Sequence, residues 1–289
     1  MEKIIKEYIE TQCSIQSLSK KYKKDAMTIS RAIKKAGFDV INRQNLVKID
    51  EHVFDNIDTE EKAYWLGFLF ADGCLNKRDN SFELSLAEKD KEHLEKFNIF
   101  IKHSRNIKIK KINLNGKIFN CYRCSFNSKH LCDTLKSYGC VPKKSNILKF
   151  PNIDLFNNKS LIKDFLRGYF DGDGCITHIN KEHTRIAIKV CGTIDFLNGY
   201  QKYLPLKKTY KIYKTRSVPE LAFNDNTALN ICKFLYNGCS ICLKRKYELY
   251  NSYCRLYEES YRLRQGKIGE DCDVNTEQTM DISQGSIAA

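Results

Sequence analysis

No apolar run in this chain has the length that crossing a bilayer demands. Its first residues, MEKIIKEYIE, are charged and amphipathic and lack the apolar core of a secretory signal. Thirteen cysteines are present without a regular framework, and 289 residues provide ample core without covalent staples. A reducing compartment is therefore expected, cytoplasmic or of another kind, organellar and viral origins included, and secretion is not. Negative charge is also scarce: 35 acidic residues face 49 basic ones, for a net charge of +14 at pH 7. The deficit is uneven. From Gly269 onward Glu270, Asp271, Asp273, Glu277 and Asp281 occur with no basic residue, so the preceding body is more basic still. Such an excess suggests a polyanionic partner, nucleic acid most simply, and no membrane.

Two stretches organise what is there: Trp65–Gly73, WLGFLFADG, and Leu166–Gly174, LRGYFDGDG. Each is an apolar helical run with small residues four apart, Gly67 with Ala71 and Gly168 with Gly172, closing on Asp-Gly. Small residues at i and i+4 share a helix face and admit a second backbone closely. The closing glycines, Gly73 and Gly174, suit a left-handed helix terminus. Asp72 and Asp173 are each placed at the negative end of a helix dipole. If the two helices pack on each other, two anions meet at one point, which calls for a divalent cation or a shared proton.

These paired stretches resemble the signatures of LAGLIDADG homing endonucleases in their single-chain, two-motif form. The resemblance implies an α+β fold: two pseudo-symmetric αββαββα half-domains forming a saddle-shaped antiparallel DNA-binding sheet. It also implies metal-dependent cleavage of both strands of a long asymmetric DNA site by a monomer. Carried over by position, the metal ligands are Asp72 and Asp173, with the carbonyls of Ala71 and Gly172 completing the shells of Mg²⁺ or Mn²⁺. A basic residue near each metal is implied too, and Lys144 and Lys246 are the candidates. The first copy departs at Phe70, where Asp171 stands in the second, a position that is not the metal-binding one.

The elements downstream of each signature are duplicated. Strands Ser81–Glu88 and Arg185–Gly192 lead to helices at about Asp90–Lys102 and Ile194–Leu204. Lysine-rich strand pairs come next, turning at Asn115-Gly116 and Val218-Pro219, and helices Ser128–Tyr138 and Asn226–Tyr236 close the units. Asp72 and Asp173 lie 101 residues apart and Lys144 and Lys246 lie 102 apart, offsets too similar for coincidence. The exposed sheet face is expected to carry the DNA contacts: Lys108, Lys110, Lys111, Lys117 and Arg123 from the first pair, Lys207, Lys208, Lys211, Lys214 and Arg216 from the second. Cations there give salt-dependent phosphate affinity, and interleaved amides and tyrosines can read base edges.

Ahead of the duplication, apolar spacing predicts three short helices over residues 1–41. SIQSLSKKYKKDAMTISRAIKKAGF resembles the helix-turn-helix of recombinases and repressors, a small N-terminal domain whose third helix enters a major groove. Thr28, Ser30, Arg31 and Lys34 would face the DNA. A linker over 42–58, half-domains over 59–150 and 151–265, and an acidic, disordered tail over 266–289 complete the expected order. Cys121/Cys124 and Cys239/Cys242 have zinc-like spacing, but the first pair falls in a predicted strand, where i and i+3 face opposite ways, and both pairs are read as buried thiols.

The same fold and basic surface also suit a catalytically silent DNA-binding regulator or an RNA maturase. The presence of both aspartates counts against the regulator. An embedded intein is not expected, because the end, SIAA, lacks a His-Asn close.

Overall fold

The computed structural model describes residues 1–11, 13–40, 48–76, 80–114, 116–178, 185–214 and 218–257. Asn115 of the first hairpin turn, Arg216 and the acidic tail lie outside them. The chain divides into two compact units: Met1–Asp50 with Phe100–Asn106, and Glu51–Ile99 with the residues from Ile107 onward.

In the first unit, α1 (Glu2–Thr11), α2 (Ile15–Tyr22) and α3 (Ala26–Lys35) enclose a small core of Ile4, Tyr8, Leu18, Ile29 and Ile33. Ser14 caps α2 through the Ser17 amide at 3.0 Å, and Asp25 caps α3 through the Thr28 amide at 2.9 Å. Lys23 takes a left-handed conformation (φ +50°) in the turn between α2 and α3.

The second unit repeats one plan. The first copy runs α4 (Glu60–Asp72), β1 (Gly73–Leu75), β2 (Ser81–Ala87), α5 (Lys91–Phe100), β3 (Lys108–Leu114), β4 (Lys117–Asn127) and α6 (Lys129–Tyr138). The second runs α7 (Ile162–Asp173), β5 (Gly174–His178), β6 (Ile186–Cys191), α8 (Ile194–Lys202), β7 (Ile212–Tyr213), β8 (Glu220–Asn224) and α9 (Asp225–Tyr236). A further helix, α10, begins at 244 and is described to 257. Each copy forms a four-stranded antiparallel sheet, ordered β1-β2-β4-β3 and β5-β6-β8-β7. Among the described residues no helix is long and apolar enough to cross a membrane.

Thr59, with Glu60 and Glu61 behind it, caps α4 by accepting from the Lys62 amide at 3.3 Å. Asn158 does the corresponding work in a 3-10 turn just ahead of α7. From Ala63 to Phe70 every residue of α4 is buried, as a helix surrounded by protein requires. Its neighbour across the seam is α7, and the contact is backbone on backbone. A Cβ on Gly67 would overlap the Phe165 carbonyl oxygen, and one on Gly168 would overlap that of Tyr64. Phe165 is the counterpart of Tyr64 at the 101-residue offset, so the seam carries a pseudo-two-fold axis.

Gly73 and Gly174 depart from the sequence expectation. Both are extended (φ −68° and −92°), not left-handed. Strands β1 and β5 leave directly over the last turn of their own helices, and a Cβ at either glycine would strike the carbonyl oxygen of Leu69 or of Phe170. Close approach, not turn handedness, demands glycine here.

The two hairpins also differ more than their sequences suggest. β3 and β4 pair over seven positions, whereas β7 contributes only Ile212 and Tyr213, opposite Leu221 and Glu220. Pro219 has no N–H to donate to the ladder, and its carbonyl turns instead to the Gly192 amide at 3.1 Å. Within 51–58, Phe54 and Ile57 are fully buried, and Ile57 makes a parallel bridge to Phe156.

Candidate functional site

The seam between α4 and α7 delivers Asp72 and Asp173 to one end. A Cβ on Gly172 would lie 3.2 Å from the Asp72 Oδ2. Asp72 is open to solvent and Asp173 is half-buried. Both are enclosed closely enough that burial leads the causes raising their pKa, to about 6 for Asp72. The Asp173 charge adds to the rise at Asp72, while the Lys144 and Lys246 ammoniums oppose it at both sites. The nearby Tyr169 hydroxyl also holds the Asp173 pKa down, although its proton is donated to the Cys191 carbonyl at 2.9 Å. The counterpart of Tyr169 in the first copy is Phe68, which has no hydroxyl to offer.

The two lysines answer the dipole problem posed by carboxylates at helix C-termini. Lys144 Nζ donates to the carbonyls of Leu69, at 2.9 Å, and Gly73. Lys246 Nζ donates to those of Phe170 and Asp171, each at 2.7 Å, and Gly174, with Gly172 at 3.5 Å. Each ammonium thus sits among the carbonyls where its helix ends, sharing those of Leu69 and Phe170 with the Gly73 and Gly174 amides, and offsets the negative charge there. Lys246 is almost wholly buried, which pushes its pKa down to about 8. Lys144 is half-buried and, with Ala71, Tyr169 and Asp173, lines a cavity of about 190 Å³. Of the carbonyls named as metal partners, that of Gly172 already faces Lys246.

Asp171 touches this cluster only through its backbone carbonyl and through its charge, which acts on Lys246. Fully buried, its carboxylate accepts from the hydroxyls of Tyr64 (2.8 Å) and Tyr236 (2.6 Å) and from the Leu243 amide (2.6 Å). Tyr64 also meets His93 Nε2 at 2.9 Å. With the Tyr64 proton committed to Asp171, the consistent arrangement has neutral His93 donating, and burial lowers its pKa to about 3. Nearby, buried Arg167 bonds Glu60, Asp164 and the carbonyls of Leu235 and Ile241. Arg245 grips Asp90 with two bonds, at 2.8 and 3.1 Å.

Register sorts the basic residues by face. Phe82, Leu84, Cys124 and Phe126 are buried on the helix side of the first sheet, so the open side carries Glu83, Ser85, Arg123, Lys108, Lys110 and Lys117. Lys111 pairs with Asn120 on the other side, because one residue of register moves a side chain across the sheet. Two of the open-face cations are tied to Glu83: Lys110 at 3.2 Å and Arg123 at 3.1 Å. In the second half Lys207, Lys208, Lys211 and Lys214 are exposed, and among the described residues of that segment β7 alone pairs in the sheet. Lys189, missed in the sequence, lies on the open side of β6, paired with Glu220 at 3.1 Å. In α3, Thr28, Arg31 and Lys34 are exposed and Ser30 is half-buried, while the Thr28 hydroxyl is engaged by Asp25 at 3.2 Å.

Cys121 and Cys124 are buried on opposite sides of β4. Cys239 and Cys242 hydrogen-bond each other, which lowers the pKa of Cys239 to about 7 and raises that of Cys242.

Residues 160–226 match the family model of the LAGLIDADG-like domain. This chain carries a LAGLIDADG-like domain. The match covers α7 through β8, and the first half repeats the same element order. Among curated proteins the chain is 29% identical over 167 residues to a probable translation initiation factor IF-2 of Methanocaldococcus jannaschii. It is 30% identical over 128 residues to an uncharacterized protein of the same organism. Those alignments span 53% and 43% of this chain but only 13% and 44% of the relatives. Among solved structures, the homing endonuclease I-WcaI bound to its DNA recognition sequence is similar with a TM-score of 0.53 and 14% identity, over 73% of this chain and 98% of that one. The likeness is one of fold: two LAGLIDADG half-domains joined along α4 and α7.

The raised pKa of Asp72 sets the sign of its effect on stability. A carboxyl that ionises less readily in the folded chain than in the unfolded one opposes folding once it is charged. The penalty is absent below about pH 4, grows as pH rises to about 6, and is complete above that. Asp72→Asn removes it. In EDTA, the melting temperature of the variant should exceed that of the parent above about pH 6 and converge with it below about pH 4. Thermal melts across this range check the expectation, and a pH-independent difference would assign the effect to something other than charge.

Proposed function

We propose that the chain is a site-specific double-strand DNA endonuclease of the LAGLIDADG type, acting as a monomer. The observation that carries this reading is the pair of carboxylates held together at the ends of α4 and α7, backed by two lysines that neutralise the helix ends. Two close carboxylates, both held back from ionising by burial and Asp72 also by the charge of Asp173, form an all-oxygen donor set that fits a hard divalent cation, Mg²⁺ or Mn²⁺. Asp72 and Asp173 would hold it, and when bound it supplies a more acidic water and charge stabilisation at the leaving oxygen. The chain's own residues do the positioning. The glycine seam fixes the spacing of the carboxylates. Lys144 and Lys246 hold the helix ends and keep the local field from becoming too negative; Lys246 is too buried to touch a substrate. The open sheet face, with Lys108, Lys110, Lys117, Arg123 and Lys189, would track phosphates, and Arg216 and the lysines from Lys207 to Lys214 would extend it.

The test is incubation with a random duplex library in Mg²⁺, followed by sequencing of the cut ends. Recovery of one long asymmetric site supports the reading. Binding without cutting would leave a DNA-binding regulator, and preference for RNA competitor would favour a maturase.

The N-terminal helices are assigned an auxiliary role, with Thr28, Ser30, Arg31 and Lys34 entering a major groove beyond the sheet. Deleting Met1–Val40 should weaken binding and shorten the protected DNA at one end only, with cleavage retained at the same phosphates at high protein concentration. If Arg31 and Lys34 contact phosphates, each lost contact should flatten the log–log salt slope by about one unit. An unchanged footprint would make these helices a structural cap.

A further inference from the structure

Well separated in sequence from the two signatures, His52, Asp55 and His130 converge on one point of the surface. His52 and Asp55 lie in the turn over 51–55, and His130 is in the first turn of α6, 75 residues beyond Asp55. His52 Nδ1 is 2.7 Å from one Asp55 oxygen, His130 Nε2 is 2.6 Å from the other, and the imidazole centroids are 4.3 Å apart. The three ligand atoms all lie within 4.8 Å of one another. We propose that His52, Asp55 and His130 form a second metal site, selective for Zn²⁺ or a similar transition ion, that clamps the segment over 51–55 to α6.

The donor set decides the metal. Two imidazole nitrogens and one carboxylate suit borderline ions and discriminate against Mg²⁺, which prefers oxygen throughout. Ligand bonds of about 2.0–2.2 Å place tetrahedral partners about 3.4 Å apart. Small torsional changes in these exposed side chains reach that spacing. On metal entry Nδ1 of His52 and Nε2 of His130 give up the protons they share with Asp55 and turn lone pairs to the ion, and Asp55 exchanges two hydrogen bonds for one metal bond. Water fills the remaining position, because the cluster opens to solvent. Thr134, one turn along α6, reaches the same Asp55 oxygen at 3.5 Å and steadies its orientation.

Cobalt(II) provides the test, since its visible bands report coordination and sulfur ligation adds a separate charge-transfer band. EDTA-stripped full-length protein should take up one Co²⁺ that is free of the sulfur band and displaced by Zn²⁺ but not by Mg²⁺. His52→Gln, His130→Gln and Asp55→Asn should each weaken that binding at least about tenfold. Because all three side chains are exposed, the metal-free melting temperatures of the variants should stay close to that of the parent. Zn²⁺ should raise the melting temperature of the parent and not of the His52→Gln/His130→Gln double variant. A cobalt spectrum and zinc response unchanged in the double variant would overturn the proposal.

Discussion

Replacing Asp72 or Asp173 with Asn is expected to reduce double-strand cleavage to below about one-thousandth of the parent rate while leaving the DNA footprint intact. Asparagine keeps the shape of the side chain but removes the charge that a divalent cation requires. EDTA should do the same to the unaltered protein, stopping cleavage without releasing DNA. Parallel measurement of nicked, linear and uncut product, with footprinting on the same samples, separates the two effects. Full double-strand cleavage by both variants would remove the role assigned to these carboxylates. Stability should move in the opposite direction: Asp72→Asn relieves an ionisation that burial and Asp173 make unfavourable, so the inactive protein melts higher in EDTA at neutral pH.

Gly67→Val and Gly168→Val should be the most destabilising single changes in the molecule, at about 4 kcal/mol or more each. The new side chain would have to occupy the space of a backbone carbonyl across the seam, and backbone cannot rotate away as a flexible side chain does. Equilibrium unfolding in urea would measure the losses. The pseudo-two-fold axis predicts similar values for the two sites and a combined loss smaller than their sum, because helices parted by the first substitution leave room for the second. A cost near zero at either glycine would mean that α4 and α7 do not approach as described.

Much of this was legible in the sequence because it depends on local spacing. The small residues four apart, the Asp-Gly ends and the 101-residue repeat are all carried by short stretches, and they led to the two helices, the paired sheets and the meeting of Asp72 with Asp173. The features that could not be read depend on register and on distance along the chain. Lys111 looks like its neighbours Lys108 and Lys110, and only its pairing with Asn120 assigns it to the other face. Lys144 and Lys246 share a common offset, but their attachment to helix-end carbonyls needs the loops in three dimensions. Asp171, in sequence simply a position without metal, is the acceptor of a buried network whose donors lie 107, 65 and 72 residues away. The His52–Asp55–His130 cluster left no signal at all, since its members never share a motif.

The polar contacts across the α4–α7 seam run one way. Arg167 reaches Glu60 and Asp171 accepts from Tyr64, but the reciprocal positions hold Leu66, Leu161, Phe70 and Phe165, none of which can return either bond. A homodimer of the second half would therefore lose both cross-seam bonds, leaving Arg167 to Asp164 and the Leu235 and Ile241 carbonyls, and Asp171 to Tyr236 and the Leu243 amide. The two halves are thus better partners for each other than the second is for a copy of itself, because only the mixed pair makes both bonds.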